Sequence, residues 1–414
     1  MRGLASDGGL FMPQFFPKLK KEFFKKIYKI KFEEIVFNVI GKFVVDIPGR
    51  ELKKIIKDAL NFPAPLIFLN KDLYILELFH GPTLSFKDFG ARFMARVLNY
   101  YASKSGQKFS IITATSGDTG GAVASAFYNL PNIKVYILYP TGRISGLQEK
   151  QIATLGGNVT ALEVTGDFDD CQYLAKSCLA DEGLRKKIDL SSANSINIGR
   201  LLPQMFYYFY AWAQFLKFLK ARSLKKVVFV VPSGNFGNLT AGLFAKKIGL
   251  PAKKFIAAVN TNSVIPSYLK RGLLSFKKTL PTFSSAMDVA MPSNWERILD
   301  LYGRKRSAIK KDLEAQAVTD AETGATIKNI YNKYGYVLDP HTAVGVCAAE
   351  KSGIAGPKIV LSTAHPAKFP EIINKFLKRK ITLPKELRAI VRKNKKSVKL
   401  SNNFFELKKF LLKQ

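Results

Sequence analysis

Lys87 lies in the run HGPTLSFKDFGARF (residues 80–93), between Phe86 and Asp88, with a Gly-Pro turn upstream and a helical pattern downstream. A lysine flanked in this way is partly shielded from water, which lowers its pKa and makes a neutral amine available for a Schiff base. Such flanks also occur on amphipathic surfaces, so the reading leans on later motifs. TATSGDTGGA (113–122) follows a strand-like run and sets Thr115, Ser116 and Thr119 at the start of a helix. Hydroxyls and free N–H groups there suit an anion, while plain capping by Ser116, Asp118 and Thr119 is the alternative. VPSGNFGNLTAG (231–242) has Gly234 and Gly237 where a backbone could approach a phosphate closely. Its spacing is not GxGxxG and no GK[ST] follows, so neither a dinucleotide fingerprint nor a Walker loop is indicated.

Two further segments complete the set. VLSTAHPAKF (360–369) puts Thr363 after a strand-like IVLS, where its hydroxyl could bond a ring nitrogen; His365 beside Pro366 reads as turn packing. SSANSINIGRLLPQ (191–204) carries Ser195, Asn197 and Arg200, donors and a fixed charge matched to a carboxylate or phosphate. A capped helix start with Arg200 on the surface is the alternative there.

The elements that must position these residues follow one pattern. LYILEL (73–78) reads as a strand leading to the Gly81-Pro82 turn, and Phe86 to Tyr100 has helical spacing. FSIITA (109–114), IKVYILYP (133–140), NVTALEVTG (158–166), KVVFVV (226–231) and KKFIAAVN (253–260) are short apolar strands, and helical patterns alternate with them. Among these are a segment containing LQEKQIATLGG, one from about Asp169 to Ala180, and a long stretch over 200–220. Strand and helix in alternation predict an α/β fold with largely parallel sheets, whose ligands sit at strand-to-turn junctions. Residues 1–72 are expected to form a helical N-terminal segment with two short amphipathic helices, 73–375 the α/β core that carries these motifs, and 376–414 a lysine-rich C-terminal segment without an evident site.

The 414 residues suffice for a large buried core, and no apolar run approaches the length that spans a bilayer. Three cysteines without a CxxC pair, and three histidines, argue against a disulfide framework and against a zinc site. The N-terminus lacks the basic-then-apolar order of a signal peptide, so a cytoplasmic protein with reduced thiols is expected. The net charge of +34 raises nucleic-acid binding. The lysines, however, are scattered through amphipathic segments rich in Phe, Ile, Tyr and Asn, which reads as coding bias and solvated helix faces. The expectation is no nucleic-acid and no membrane partner, with a field that favours an anionic substrate.

Taken in order, HGPTLSFKDFGARFM, TATSGDTG, ILYP…LQEKQIATLGGN, NSINIGRLLPQ, VPSGNFGNLTAGL, DVAMPSNWER, DPHTAVGV and TAHPAKF resemble the threonine synthases, in their longer bacterial, plant and fungal subgroup. The resemblance runs over nearly the whole chain from Gly3. It implies the tryptophan-synthase-β-like fold (fold type II), with pyridoxal 5′-phosphate held between two α/β domains. It also implies conversion of O-phospho-L-homoserine and water to L-threonine and phosphate by a monomer or homodimer. By motif position, Lys87 would carry the cofactor as a Schiff base and shuttle protons. Gly234, Asn235, Phe236, Gly237 and Asn238 would hold the cofactor phosphate and Thr363 would face the pyridine nitrogen. Asp118 would stand near the cofactor hydroxyl. Thr115, Ser116, Thr119, Ser195, Asn197 and Arg200 would meet the substrate, Arg200 at its phosphate. The chain opens on what resembles the family's second motif (GLASDGGLF), so an upstream segment is expected to be missing. Other readings are a serine or threonine dehydratase of the same fold, or a silent basic homologue.

Overall fold

The computed structural model describes residues 3–5, 7–219, 225–275 and 278–414. Its strands are β1 (Leu66–Asn70), β2 (Leu73–Glu77), β3 (Phe109–Ala114), β4 (Ile133–Pro140), β5 (Val159–Val164), β6 (Leu190–Ser192), β7 (Val227–Pro232), β8 (Ala252–Val259), β9 (Leu313–Ala317), β10 (Lys358–Ser362) and β11 (Val398–Leu400). They form two sheets. The first has the order β11-β5-β4-β3-β6 and the second β1-β2-β10-β7-β8-β9. Every pairing is parallel except β1 with β2. Parallel sheets need cover on both faces, and the strands show it: Val227 to Pro232 are buried without exception. The helix Met205–Phe218 (MFYYFYAWAQFLKF) is apolar nearly all round because it runs inside the largest core, where Tyr208 meets Phe229 at 5.1 Å.

Most strands read from sequence are present within a residue or two, and so is the helix Phe168–Ala180, whereas the helix expected over Phe86 to Tyr100 runs on to Ser105 as Lys87–Ser105. The last residue of the expected 200–220 stretch lies outside the described residues. The N-terminal segment holds helices Lys21–Lys26, Phe32–Ile40 and Gly49–Ala59, and Phe24 packs on Phe209 and Trp212. Chain order is not sheet order, however. β10 enters the second sheet between β2 and β7, in register Lys358 with Leu73 and with Val228. β11, from the lysine-rich C-terminal segment, adds to the first sheet beside β5. No helix among the described residues is long and apolar enough to cross a membrane.

Candidate active site

The carboxyl ends of β3, β6, β7 and β10 converge on one cavity between the two sheets, the position expected for a ligand in an open parallel sheet. Its lining includes Lys87, Thr115, Ser116, Asp118, Thr119, Ser195, Arg200, Gly234, Asn235, Phe236, Gly237, Asn238 and Thr363. Segments up to 276 residues apart (Lys87 to Thr363) thus meet in one place. Asn197 is not among the lining residues.

Lys87 opens the helix Lys87–Ser105 with its ammonium 4.5 Å from the centre of the Phe86 ring. Its loop is tied to β10 by the Phe86 N–H, which donates to the Thr363 carbonyl at 2.9 Å. Burial, then the neighbouring Arg200 charge, push Lys87 down to about 8; Asp118 opposes this and Lys368 adds to it. The shielding read from sequence is therefore joined by repulsion between cations. The upstream turn is fixed by Asp88, whose carboxylate accepts from the Thr83 N–H (2.9 Å) and hydroxyl (2.8 Å). Burial raises Asp88 to about 6 against those bonds. A Cβ on Gly81 would stand 2.4 Å from Asp88 Oδ2, so this turn demands glycine.

In the SGDTG turn the Thr115 hydroxyl accepts from the N–H groups of Gly117 and Gly120, both at 2.9 Å, and donates to the Gly117 carbonyl. It organises the turn and has no capacity left for a ligand. Ser116, Asp118 and Thr119 do not cap the helix. The hydroxyls of Ser116 and Thr119 have no hydrogen-bonding partner among the described residues and face the cavity. Asp118 Oδ1 pairs with Lys368 Nζ at 2.6 Å and accepts from Gln148 Nε2 at 3.0 Å, all three side chains being buried. Burial raises the Asp118 carboxyl, but the Lys368 charge and bond outweigh it and hold the group below the usual carboxylate value. Lys368 also donates to the Thr83 carbonyl at 3.0 Å, as does Gln151 at 3.2 Å.

The glycine loop opens the helix Gly237–Ile248. A Cβ on Gly234 would lie 2.8 Å from Met287 Cα, and Phe236 holds a left-handed φ of 59°, costly for a bulky residue. Asn238 Oδ1 accepts from the phenols of Tyr207 and Tyr208, both at 2.7 Å, whereas its Nδ2 is buried without a partner. Ser195 belongs to this loop rather than to Arg200: its hydroxyl accepts from Asn235 Nδ2 and Asn294 Nδ2, each at 3.0 Å. Asn294 in turn bonds the Asn235 carbonyl at 3.1 Å and accepts from Arg297 at 2.6 Å.

Arg200 is buried, not on the surface, and packs so closely on the neighbouring helix that a Cβ on Gly90 would meet its carbonyl at 2.6 Å. Nη1 donates to the Ala193 carbonyl, Nε has no partner, and no carboxylate pairs with it among the described residues. Burial pushes this guanidinium down to about 10. Asn197 departs from the expected ligand role: its Oδ1 accepts from the Gly199 N–H at 2.8 Å and its Nδ2 donates to the Ser192 carbonyl at 2.9 Å, which caps the short helix carrying Arg200. His365 caps the turn Pro366–Lys368 through Nδ1.

Sequence reasoning gave no role to Lys368, Gln148, Asn294, Arg297 or His341. All five lie inside motifs quoted above, TAHPAKF, LQEKQIATLGGN, DVAMPSNWER and DPHTAVGV; Lys368 and Gln148 meet Asp118, and Asn294 and Arg297 meet Ser195, across long stretches of chain that a motif does not show, whereas His341 faces Asp339 within its own motif.

With this cavity at the carboxyl ends of parallel strands from both sheets, the chain is a pyridoxal-phosphate-dependent enzyme of fold type II, and residues 60–363 match the family model described as pyridoxal-phosphate dependent enzyme. Residues 1–60 match the threonine synthase N terminus and 342–411 the threonine synthase C-terminal model. The threonine synthase of Buchnera aphidicola (subspecies Acyrthosiphon pisum) is 45% identical over 100% of this chain and 95% of its own. The crystal structure of the Escherichia coli threonine synthase superposes with a TM-score of 0.93 at 44% identity, covering 99% of this chain and 95% of that one. The pyridoxal-phosphate-bound threonine synthase of Brucella melitensis gives 0.92 at 34%, covering 99% and 94%. The chain belongs to the threonine synthase family.

Proposed function

We propose that the chain converts O-phospho-L-homoserine and water to L-threonine and phosphate in the cytoplasm. The observation that carries this reading is Arg200, a buried guanidinium that faces the cavity with no carboxylate paired to it among the described residues. A buried cation without an ion-pair partner is costly even with the Asp88 charge nearby, so the site is built for an anion that enters with the substrate. Lys87 stands in the same cavity, and the one lining carboxylate among the described residues, Asp118, is already paired with Lys368.

The residues fit pyridoxal phosphate. The unpartnered Asn238 Nδ2, the first N–H groups of the helix Gly237–Ile248 and the close approach allowed at Gly234 suit its phosphate. Asn235 and Phe236 shape that loop. The Thr363 hydroxyl, without a partner among the described residues, suits its ring nitrogen, and the amine of Lys87 suits its aldehyde. When bound, the cofactor supplies the electron sink that acidifies the protons near the substrate's Cα.

Lys87, titrating near 8, is able both to take and to return a proton near neutral pH, and we assign it the Cα proton. Arg200 stabilises the charge that gathers on the leaving phosphate. Ser116 and Thr119, at the start of the helix Asp118–Phe127, orient the substrate carboxylate. Thr115, Ser195 and Asn197 act as positioning residues. The buried, reduced cysteines Cys171, Cys178 and Cys347 suit a reducing compartment.

Holoenzyme incubated with O-phospho-L-homoserine should release threonine and phosphate in equal amounts, and Lys87→Ala should release neither. Phosphate accompanied by 2-oxobutyrate would show elimination without hydration and overturn the assignment.

A further inference from the structure

Ser195 stands in the cavity wall beside the glycine loop, where a Cβ on Gly237 would lie 3.5 Å from its Oγ and 3.4 Å from Asn294 Nδ2. Its hydroxyl oxygen has two amide neighbours, Asn235 Nδ2 and Asn294 Nδ2, each at 3.0 Å. Groups that can only donate fix the way those amides face. Arg297 Nη1 donates to Asn294 Oδ1 at 2.6 Å, and the Ser293 N–H donates to Asn235 Oδ1 at 2.5 Å. A guanidinium and a backbone N–H offer no acceptor, so each holds an amide oxygen on its own side and turns the NH2 group toward Ser195. Both acceptor sites of the serine oxygen are thereby filled, and its one hydrogen has no acceptor among the described residues. We infer that Arg297 and Ser293, acting through Asn294 and Asn235, commit the Ser195 hydroxyl to donate a hydrogen bond to the phosphate of pyridoxal phosphate.

The surroundings of that hydrogen call for an oxyanion. The hydroxyl adjoins the start of the helix Gly237–Ile248, whose first N–H groups are free of helical partners, and the Asn238 Nδ2 at the same place is buried and unpartnered. All three kinds of group present hydrogens. A hydroxyl whose acceptor sites are filled cannot take a hydrogen from a protonated phosphate, so the set favours the doubly ionised form. Arg297 fixes the serine twice, since Nη1 also donates to the Ser195 carbonyl at 3.1 Å. Its Nη2 holds the Ile196 carbonyl at 2.6 Å and its Nε the Phe11 carbonyl at 3.0 Å. It acts on the phosphate only through Asn294 and Ser195 and is a positioning residue.

The inference rests on the cofactor lying in this cavity with its phosphate at the glycine loop, and the test separates the two. Protein stripped of cofactor is given pyridoxal phosphate or pyridoxal, which lacks the phosphate, and each affinity is measured by equilibrium dialysis. Wild type should strongly prefer pyridoxal phosphate; equal affinities would overturn the placement of the phosphate and this inference with it. Ser195→Ala should lower the preference by about tenfold to a hundredfold, the range for a hydrogen bond to a charged group, with pyridoxal bound as in wild type. A wild-type preference that survives in Ser195→Ala overturns the inference alone. Ser195→Cys, close in size and a weak donor, decides if Ser195→Ala does not fold. Asn294→Asp separates donation from bracing: it keeps the contacts with Arg297 and Ser195 but offers the serine hydrogen an acceptor. It should cost a similar share of the preference, and adding Ser195→Ala should cost little more. Losses that multiply in the double variant would overturn the orienting role of Asn294.

Discussion

The Lys87 amine should capture pyridoxal phosphate with a pH dependence that reports its surroundings. Titrating at about 8 instead of 10.5, it is neutral in about one molecule in ten at pH 7, against about one in three thousand for an ordinary lysine. That is a gain of roughly 300-fold in reactive amine, within reach of stopped-flow measurement. Enzyme stripped of cofactor, mixed with limiting pyridoxal phosphate and quenched with borohydride, should give a Lys87-adduct rate that climbs with pH and levels off near 8. Since Arg200 is the foremost charge depressing Lys87, Arg200→Met should move the levelling point upward by roughly half a unit to one unit. A wild-type rate still climbing tenfold per pH unit between 9 and 10 would refute the reasoning, as would an unmoved profile in Arg200→Met.

Lys368→Met strands the buried Asp118 carboxylate and should cost about 3–5 kcal/mol in denaturant unfolding at pH 7, while adding Asp118→Asn should restore most of it; a double variant as unstable as the single one would show that the pair is not coupled. In the wild type Asp118 lies below its ordinary 3.8, so its stabilisation is complete above that pH and is lost as pH falls through the depressed value. The acid limb of a stability profile should accordingly lose that component in Asp118→Asn. Gly234→Ala must displace the Met287 backbone, 2.8 Å from the new methyl group, and should weaken pyridoxal phosphate binding by more than about tenfold with secondary structure retained, read by equilibrium dialysis and circular dichroism. Arg297→Met removes bonds to Asn294, Ser195, Ile196 and Phe11 and should lower both cofactor affinity and the unfolding free energy in denaturant, the latter by about 2–4 kcal/mol.

How much of this was legible beforehand depended on how local each signal is. Strands such as IKVYILYP and VVFVV announce themselves as apolar runs, and the turns after them carry glycine and hydroxyl residues, so the strands and the motif-bearing turns follow from short windows. β11 was not legible: VKL in a lysine-rich stretch becomes a strand only because the open edge of β5, more than 230 residues earlier, pairs with it. The same distance hides Lys368, whose partner Asp118 is 250 residues away. Thr115, Ser195 and Asn197 show another limit. Residue type announces a hydroxyl or amide, but whether it serves a ligand or its own backbone depends on loop geometry, and Thr115 and Asn197 serve the backbone.

The sheet order has a consequence for synthesis. The strand between β2 and β7 arrives only when residues 358–362 leave the ribosome, and the first sheet gains its outer strand only with residues 398–400. At roughly 5–20 residues per second the nascent chain would carry unpaired strand edges for several seconds or more. Neither sheet can be completed before these strands emerge, so final assembly waits on residues 358–362 and 398–400, and chaperones that shield sheet edges gain their longest window on this polypeptide before that point.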